Sequence, residues 1–194
     1  MKKKIKNQIK QSIKVKELLM DMCTDDIEKA VIVIIKTLNN GGKILWCGNG
    51  GSAADAQHLS TELMGGMTDH QRKPIPSIAL TTDTSFLTAW PNDTDFDSVF
   101  SRQIQGIGLE GDVLVGISTS GNSENILSAI KQAKYRGIST ILFTGKTGGK
   151  IGGISDVSIC VPSDDTQRIQ ESHIMIGQII CGLVEDSILK NKNE

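Results

Sequence analysis

The stretch that most constrains the fold is residues 43–58. An apolar run, Lys43–Cys47 (KILWC), passes directly into Gly48, Asn49, Gly50, Gly51 and Ser52, and a helical pattern follows. A strand that turns through glycines straight into a helix opens a strand–helix–strand unit. The unit recurs, because Ser77–Leu80, Asp112–Ile117, Ser139–Thr144 and Val157–Val161 read as four further apolar strands. Helical patterns separate them, clearest at Ser123–Arg136, where Ile126, Leu127, Ile130 and Ala133 share a face and Gly137 supplies the stop. Apolar strands alternating with helices predict an α/β fold: a doubly wound, mostly parallel five-stranded sheet with helices on both faces.

Residues 1–40 are expected to form two N-terminal helices packing on the core and on a subunit interface, and residues 41–190 the sheet domain, as one structural unit. In the first 16 residues Lys2, Lys3, Lys4, Lys6, Lys10, Lys14 and Lys16 surround Ile5, Ile9 and Ile13, with no acid before Glu17. Isoleucines four apart make one apolar stripe, so the segment reads as a surface helix that docks by that stripe rather than as a nucleic-acid arm. Asp25 and Asp26 are positioned to cap a second helix, ended by Gly41 and Gly42. The last helix, about Gln167–Leu189, is apolar over more than one narrow face, which marks it for burial against another subunit. The four prolines, at 74, 76, 91 and 162, are expected between elements.

A formal net charge of −1 gives no broad field to gather nucleic acid or anionic membrane. No export signal is visible, and the apolar runs fall short of the ~20 residues that span a bilayer. Cys23, Cys47, Cys160 and Cys181 are scattered, without zinc-finger spacing, as suits small buried residues in a reducing, cytoplasmic setting.

In a doubly wound sheet, ligands bind at the carboxyl ends of the strands. The first such loop, from Gly48 to Ser52, permits close backbone approach and can hold an anion at a helix start. It also matches G-x-G-x-x-A, but the acid at Asp83 comes too late for a dinucleotide ribose. The second loop, Ser118, Thr119, Ser120, Gly121, Asn122 and Ser123, carries four hydroxyls in six residues and no P-loop lysine. Hydroxyl donors without that lysine suit a monophosphate, the plainer alternative being a helix cap. His58 and Glu62 stand four apart on one helical face, as in a metal site, an acid–base pair or a surface ion pair. Gln170 and Gln178, eight apart, lie about 80° from each other around the last helix.

The ordered segments CGNGGSAADAQH with Glu62, ALTTDTS, ND before FSRQ, GISTSGNS, and VPSDDT with RIQESH resemble the phosphoheptose isomerases of the sugar isomerase (SIS) domain superfamily. The resemblance spans about Gly41 to Glu185. It implies a SIS-type, flavodoxin-like homotetramer with active sites between subunits, converting sedoheptulose 7-phosphate to D-glycero-D-manno-heptose 7-phosphate toward nucleotide-activated heptose for lipopolysaccharide or capsule. It further implies that Ser118, Thr119, Ser120 and Ser123 hold the phosphate. Asn49, Gly50, Gly51, Ser52, Asn92, Asp93 and Gln170 line the sugar, and Glu62 is the catalytic carboxylate. Zinc, where family members bind it, takes the positions of His58, Glu62, Gln170 and Gln178. The sequence departs from the family at Gln178, where a catalytic histidine is usual, and at Gly66, where an arginine is usual. Those departures hold open a non-catalytic reading, a phosphosugar-binding regulator of the replication-initiator-associating type. His173 is the nearest candidate to replace the missing acid, a structural role being the alternative.

Overall fold

A computed structural model describes residues 1–190. Five parallel strands, β1 (Ile44–Gly48), β2 (Ser77–Ala79), β3 (Val113–Ser118), β4 (Ser139–Gly145) and β5 (Val157–Val161), form one sheet in the order β2-β1-β3-β4-β5. Strand order reverses on either side of β1, so the ends of β1 and β3 flank the crevice where ligands of such sheets bind. On one face lie α1 (Lys2–Asn39), α2 (Gly51–Gly65) and α7 (Thr166–Lys190), packed over Trp46, Val115, Ile117, Phe143 and Ile159. On the other lie α3 (Thr84–Asp93), α4 (Val99–Ile107), α5 (Glu124–Tyr135) and the single turn α6 (Gly149–Gly152), over Leu45, Leu114 and Leu142. The fully buried β1, β3 and most of β4 explain why these strands read as continuous apolar runs.

Three sequence expectations are corrected. The N-terminal segment is one continuous helix and not two: Asp25 and Asp26 lie inside α1, where Asp26 pairs with Lys29 at 2.9 Å. No glycine or proline interrupts Lys2–Asn39, and two aspartates cost too little helix propensity to break it. The stripe Ile5, Ile9 and Ile13 does not dock within the chain, since α1 buries only its second half, from Leu19 onward, and leaves the three isoleucines about half exposed. Pro91 falls within the last turns of α3, a short helix capped by Asp83, whose carboxylate accepts from the Phe86 N–H. α3 and α4 themselves are not evident in the sequence.

The helix α7 is long and apolar enough to cross a membrane by length and composition, with a mean hydropathy of 1.3. In this fold it is instead a core helix, burying Ile169, Ile176, Ile180 and Val184 against the sheet.

His173 points from α7 into that core. It is fully buried, its Nε2 is 3.1 Å from the Thr144 carbonyl, and its ring tilts against Phe143. Burial holds its pKa down to about 4, against the raising effect of the Thr144 hydrogen bond. An unfolded histidine takes its proton near 6.5, so on acidification the unfolded chain protonates first. The stabilisation is therefore complete above about pH 6.5 and drains as the pH falls toward 4, by on the order of 3 kcal/mol. Denaturant unfolding at fixed protein concentration should give a lower stability at pH 5 than at pH 7.5, and His173→Gln should flatten that slope. An equal slope in both proteins would assign the effect to other groups.

Candidate active site

The two loops meet at the carboxyl edge of the sheet. Asn49, just after β1, and Asn125, in the first turn of α5, exchange two side-chain amide hydrogen bonds of 2.9 and 2.8 Å. This reciprocal pair locks the β1 loop to the β3 loop and engages both polar atoms of the Asn49 amide. Asn125 is buried, and its part could not be read from a sequence in which it lies 76 residues away. Gly50 has a positive φ of 56°, which lets the chain turn directly into α2. Ser52 is buried in the first turn of α2.

In the second loop the Ser118 and Ser123 hydroxyls are 2.9 Å apart, while the Ser120 hydroxyl accepts from the Asn122 N–H. Ser123 stands at the N-cap of α5 yet makes no side-chain capping hydrogen bond, so the helix-cap alternative does not account for its hydroxyl. Thr119 and Ser120 line a cavity of about 270 Å³ with Gly145, Lys146, Ser163 and Thr166. Gly121, at φ 64°, packs so closely on Gly148 and Gly149 that a side chain at 121 would overlap their backbone. Lys146, 3.9 Å from the Asp164 carboxylate that lines the same cavity, is a cation beside the loop that the sequence motifs did not reveal.

The third constellation lies on the paired faces of α2 and α7. His58 Nε2 is 2.9 Å from Glu62 Oε1 and 3.1 Å from the Gln178 side-chain nitrogen. Glu62 is mostly sheltered, with 20% of its side chain exposed, whereas His58 opens to solvent at 47%. One ring nitrogen cannot serve both neighbours: protonated, it bonds the carboxylate and opposes the amide N–H; unprotonated, it accepts from the amide and faces carboxylate lone pairs. Turning the Gln178 amide over, an assignment not fixed by heavy-atom positions, leaves three lone-pair donors converging on one locus. That donor set fits a divalent cation with an open position. Gln170 is about 12 Å further toward the sheet edge along α7, with its amide against Gly51. Asp55, one turn before His58 on α2, has a carboxylate oxygen without a hydrogen-bond partner. Burial raises its pKa and His58 opposes the rise.

The remaining expected residues are placed elsewhere. Asn92 and Asp93 bond to each other on the exposed last turn of α3, a helix on the opposite face of the sheet from α2 and α7. His173 is directed into the core and supplies no acid to the Glu62 cluster. Gly66 ends α2 at φ 102°, where a side chain would be strained and its Cβ would crowd the Asp69 carbonyl. The departure at this position is thus a helix stop as well as a missing charge. Burial pushes the Cys47 and Cys181 thiols up to about 12, which leaves neither a thiolate nucleophile.

With this geometry in place, the SIS domain family matches residues 9–145. Phosphoheptose isomerases of Sulfurimonas denitrificans and Aneurinibacillus thermoaerophilus are 49% and 50% identical to this chain over 190 residues. The match covers 97% of this chain in each case, and 97% and 96% of those proteins. The chain belongs to the phosphoheptose isomerase family. A solved phosphoheptose isomerase from Neisseria gonorrhoeae superposes on it with a TM-score of 0.90 at 44% identity, over 95% of this chain and 98% of that one. Family membership places the chain among enzymes, and the relatives near half identity give no support to the regulatory alternative.

The spacing of α2 and α7 depends on Gly177, where a Cβ would collide with the buried Leu59 side chain. An exposed mid-helix Gly→Ala exchange normally stabilises by up to about 1 kcal/mol. Here Gly177→Ala should destabilise by about 1–3 kcal/mol, as overpacked cores do. A melting temperature equal to or above that of the parent would show that the two helices have slack.

Proposed function

We infer that this chain is an aldose–ketose isomerase that converts sedoheptulose 7-phosphate to D-glycero-D-manno-heptose 7-phosphate. The observation that carries the reading is the sheltered Glu62 carboxylate held at the α2–α7 face by His58 and Gln178, in a chain of this family.

The reaction moves a hydrogen between adjacent carbons. Glu62 removes a proton from C1; the C–H electron pair becomes the C1=C2 bond of an enediol, and the C2 carbonyl oxygen takes up a proton. Return of a proton from Glu62 to C2, with loss of one from O1, gives the aldose. A positioned base of this kind contributes about 10²–10⁴-fold. Gln178 cannot titrate, so its part is to hold the O1–O2 edge by hydrogen bonds while water relays protons between the oxygens. The Ser118, Thr119, Ser120 and Ser123 hydroxyls hold the phosphate, with Lys146 adding positive charge. Asn49, Gly50, Gly51, Ser52 and Gln170 line the sugar between loop and base.

His58, Glu62 and Gln178 would hold a zinc ion, while Gln170, its amide against Gly51, stands about 12 Å further along α7. Bound there, zinc would polarise the substrate oxygens. Two amides in place of an amide and an imidazole make a weaker site. The assembly proposed is a homotetramer with active sites between subunits. Two features support it. A groove of about 850 Å³ between α1 and α7 exposes Met20, Ile32, Ile179 and Leu183. In addition, Asn92 and Asp93 are exposed on the other face of the sheet from Glu62, so a site that used them would draw them from a neighbouring copy. The setting proposed is cytoplasmic, and the product would feed surface heptose, as in lipopolysaccharide or capsule.

Purified protein given sedoheptulose 7-phosphate should form the aldose, and Glu62→Gln should lower kcat by about 10²–10⁴-fold. Added zinc should raise the melting temperature of the parent and not of a His58→Ala variant. Absence of turnover by the parent, with or without zinc, would contradict the isomerase reading.

A further inference from the structure

A buried ion pair closes the far end of the same helix pair. Arg72 Nε donates to Glu185 Oε2 at 2.7 Å, and each side chain is only 1% exposed. Glu185 also accepts from the backbone N–H groups of Met67, Thr68 and Asp69 at 2.8, 2.7 and 3.1 Å, and from the Thr68 hydroxyl. The remaining guanidinium nitrogens donate to the carbonyls of Lys73 and Glu62, each at 3.0 Å. The Glu62 carbonyl thus receives two donors, because the Gly66 N–H also reaches it at 3.1 Å.

Stability alone is a weak reason for such a pair. The desolvation of two buried charges cancels much of their attraction, and apolar replacements of similar volume are often as stable. Its geometry is more informative. From the Glu62 carboxylate the path runs through His58 to Gln178, along about two turns of α7 to Glu185, across to Arg72, and back to the Glu62 carbonyl. The residue that bears the base is held on both sides, by its carboxylate and by its backbone. Arg72 reaches back to the Glu62 carbonyl across a turn that begins at Gly66, a residue whose freedom about φ gives it no rigidity of its own.

We propose that Arg72 and Glu185 are positioning residues that fix the Glu62 carboxylate for proton transfer by clamping the end of α2 to α7. The proposal rests on the isomerase reading. A displacement of about 1 Å in such a group can cost about 10²-fold in rate. Lysine at 72 keeps the charge opposite Glu185 but cannot reach three acceptors in the fork geometry of a guanidinium.

The test compares full-length parent, Arg72→Lys, Glu185→Gln and, as a control, Lys43→Met. The control breaks the 2.6 Å Lys43–Asp112 pair, which joins the amino ends of β1 and β3 and makes no contact with the Arg72 or Glu185 side chains. Assays on sedoheptulose 7-phosphate are run well below each protein's melting temperature. The expected result is a kcat about 10- to 100-fold lower in the first two variants, with KM within about twofold of the parent, while Lys43→Met melts lower and keeps its kcat. Unchanged kcat in Arg72→Lys and Glu185→Gln, a rise in KM alone, or an equal loss of kcat in the control would overturn the proposal. Should the parent itself not turn over this sugar, the isomerase reading fails, and amide exchange at Gly65 and Gly66 decides whether the clamp exists. Exchange accelerated at least tenfold in Arg72→Lys, and only there, supports it; unchanged exchange refutes it.

Discussion

Leu59 rests on Gly177, and nearly everything at the site follows from how closely α2 and α7 approach there. The two helices run alongside each other: Gly51 meets Gln170 at one end, Leu59 meets Gly177 in the middle, and the loop after α2 meets Glu185 at the other. A larger residue at 177 would press on Leu59, one position along α2 from His58. Leu59 and Ala56 are wholly buried beneath this seam, and Cys181 places its Sγ toward the Leu59 carbonyl, so the contact is continuous with the core. The seam is therefore packed by apolar groups on its inner side and lined by chemically active ones on its outer side.

The sheet brings the two loops together. The register of β1 with β3 brings Gly48 beside Ile117, so the glycine loop and the hydroxyl loop leave the sheet next to each other. The Asn49–Asn125 amide pair then fixes their separation. This arrangement explains why a chain of this length spends so many glycines at strand ends, where backbone must turn and approach closely.

Much of this was legible in the sequence because it is local. The five strands are short, mostly apolar runs, and each observed boundary lies within a residue or so of the one read from the sequence. The glycine and hydroxyl loops, and the His58–Glu62 spacing, are likewise contained within a few residues. What could not be read is what depends on distant partners. The joining of Asn49 to Asn125 and of Arg72 to Glu185, and the placing of Lys146 beside Ser120, all arise from topology. α3 escaped notice because Thr, Trp and Pro91 give it little intrinsic propensity. It is held instead by the Asp83 cap and by Trp90, which stacks on Phe86 and lies under Arg102. The continuity of α1 was masked by Asp25 and Asp26, whose capping preference yields to the burial of Cys23, Ile27 and Ala30 on either side.

At this seam Glu62 is proposed to move a proton through an enediol. Turnover of sedoheptulose 7-phosphate in deuterium oxide, followed by NMR, addresses it directly, because the Glu62 side chain is partly exposed and its proton can exchange with solvent. Proton transfer by Glu62 should leave deuterium at C2 of the aldose formed and at C1 of the ketose recovered. Complete conversion with no deuterium at either carbon would contradict it, and would point to direct transfer of hydrogen between the two carbons.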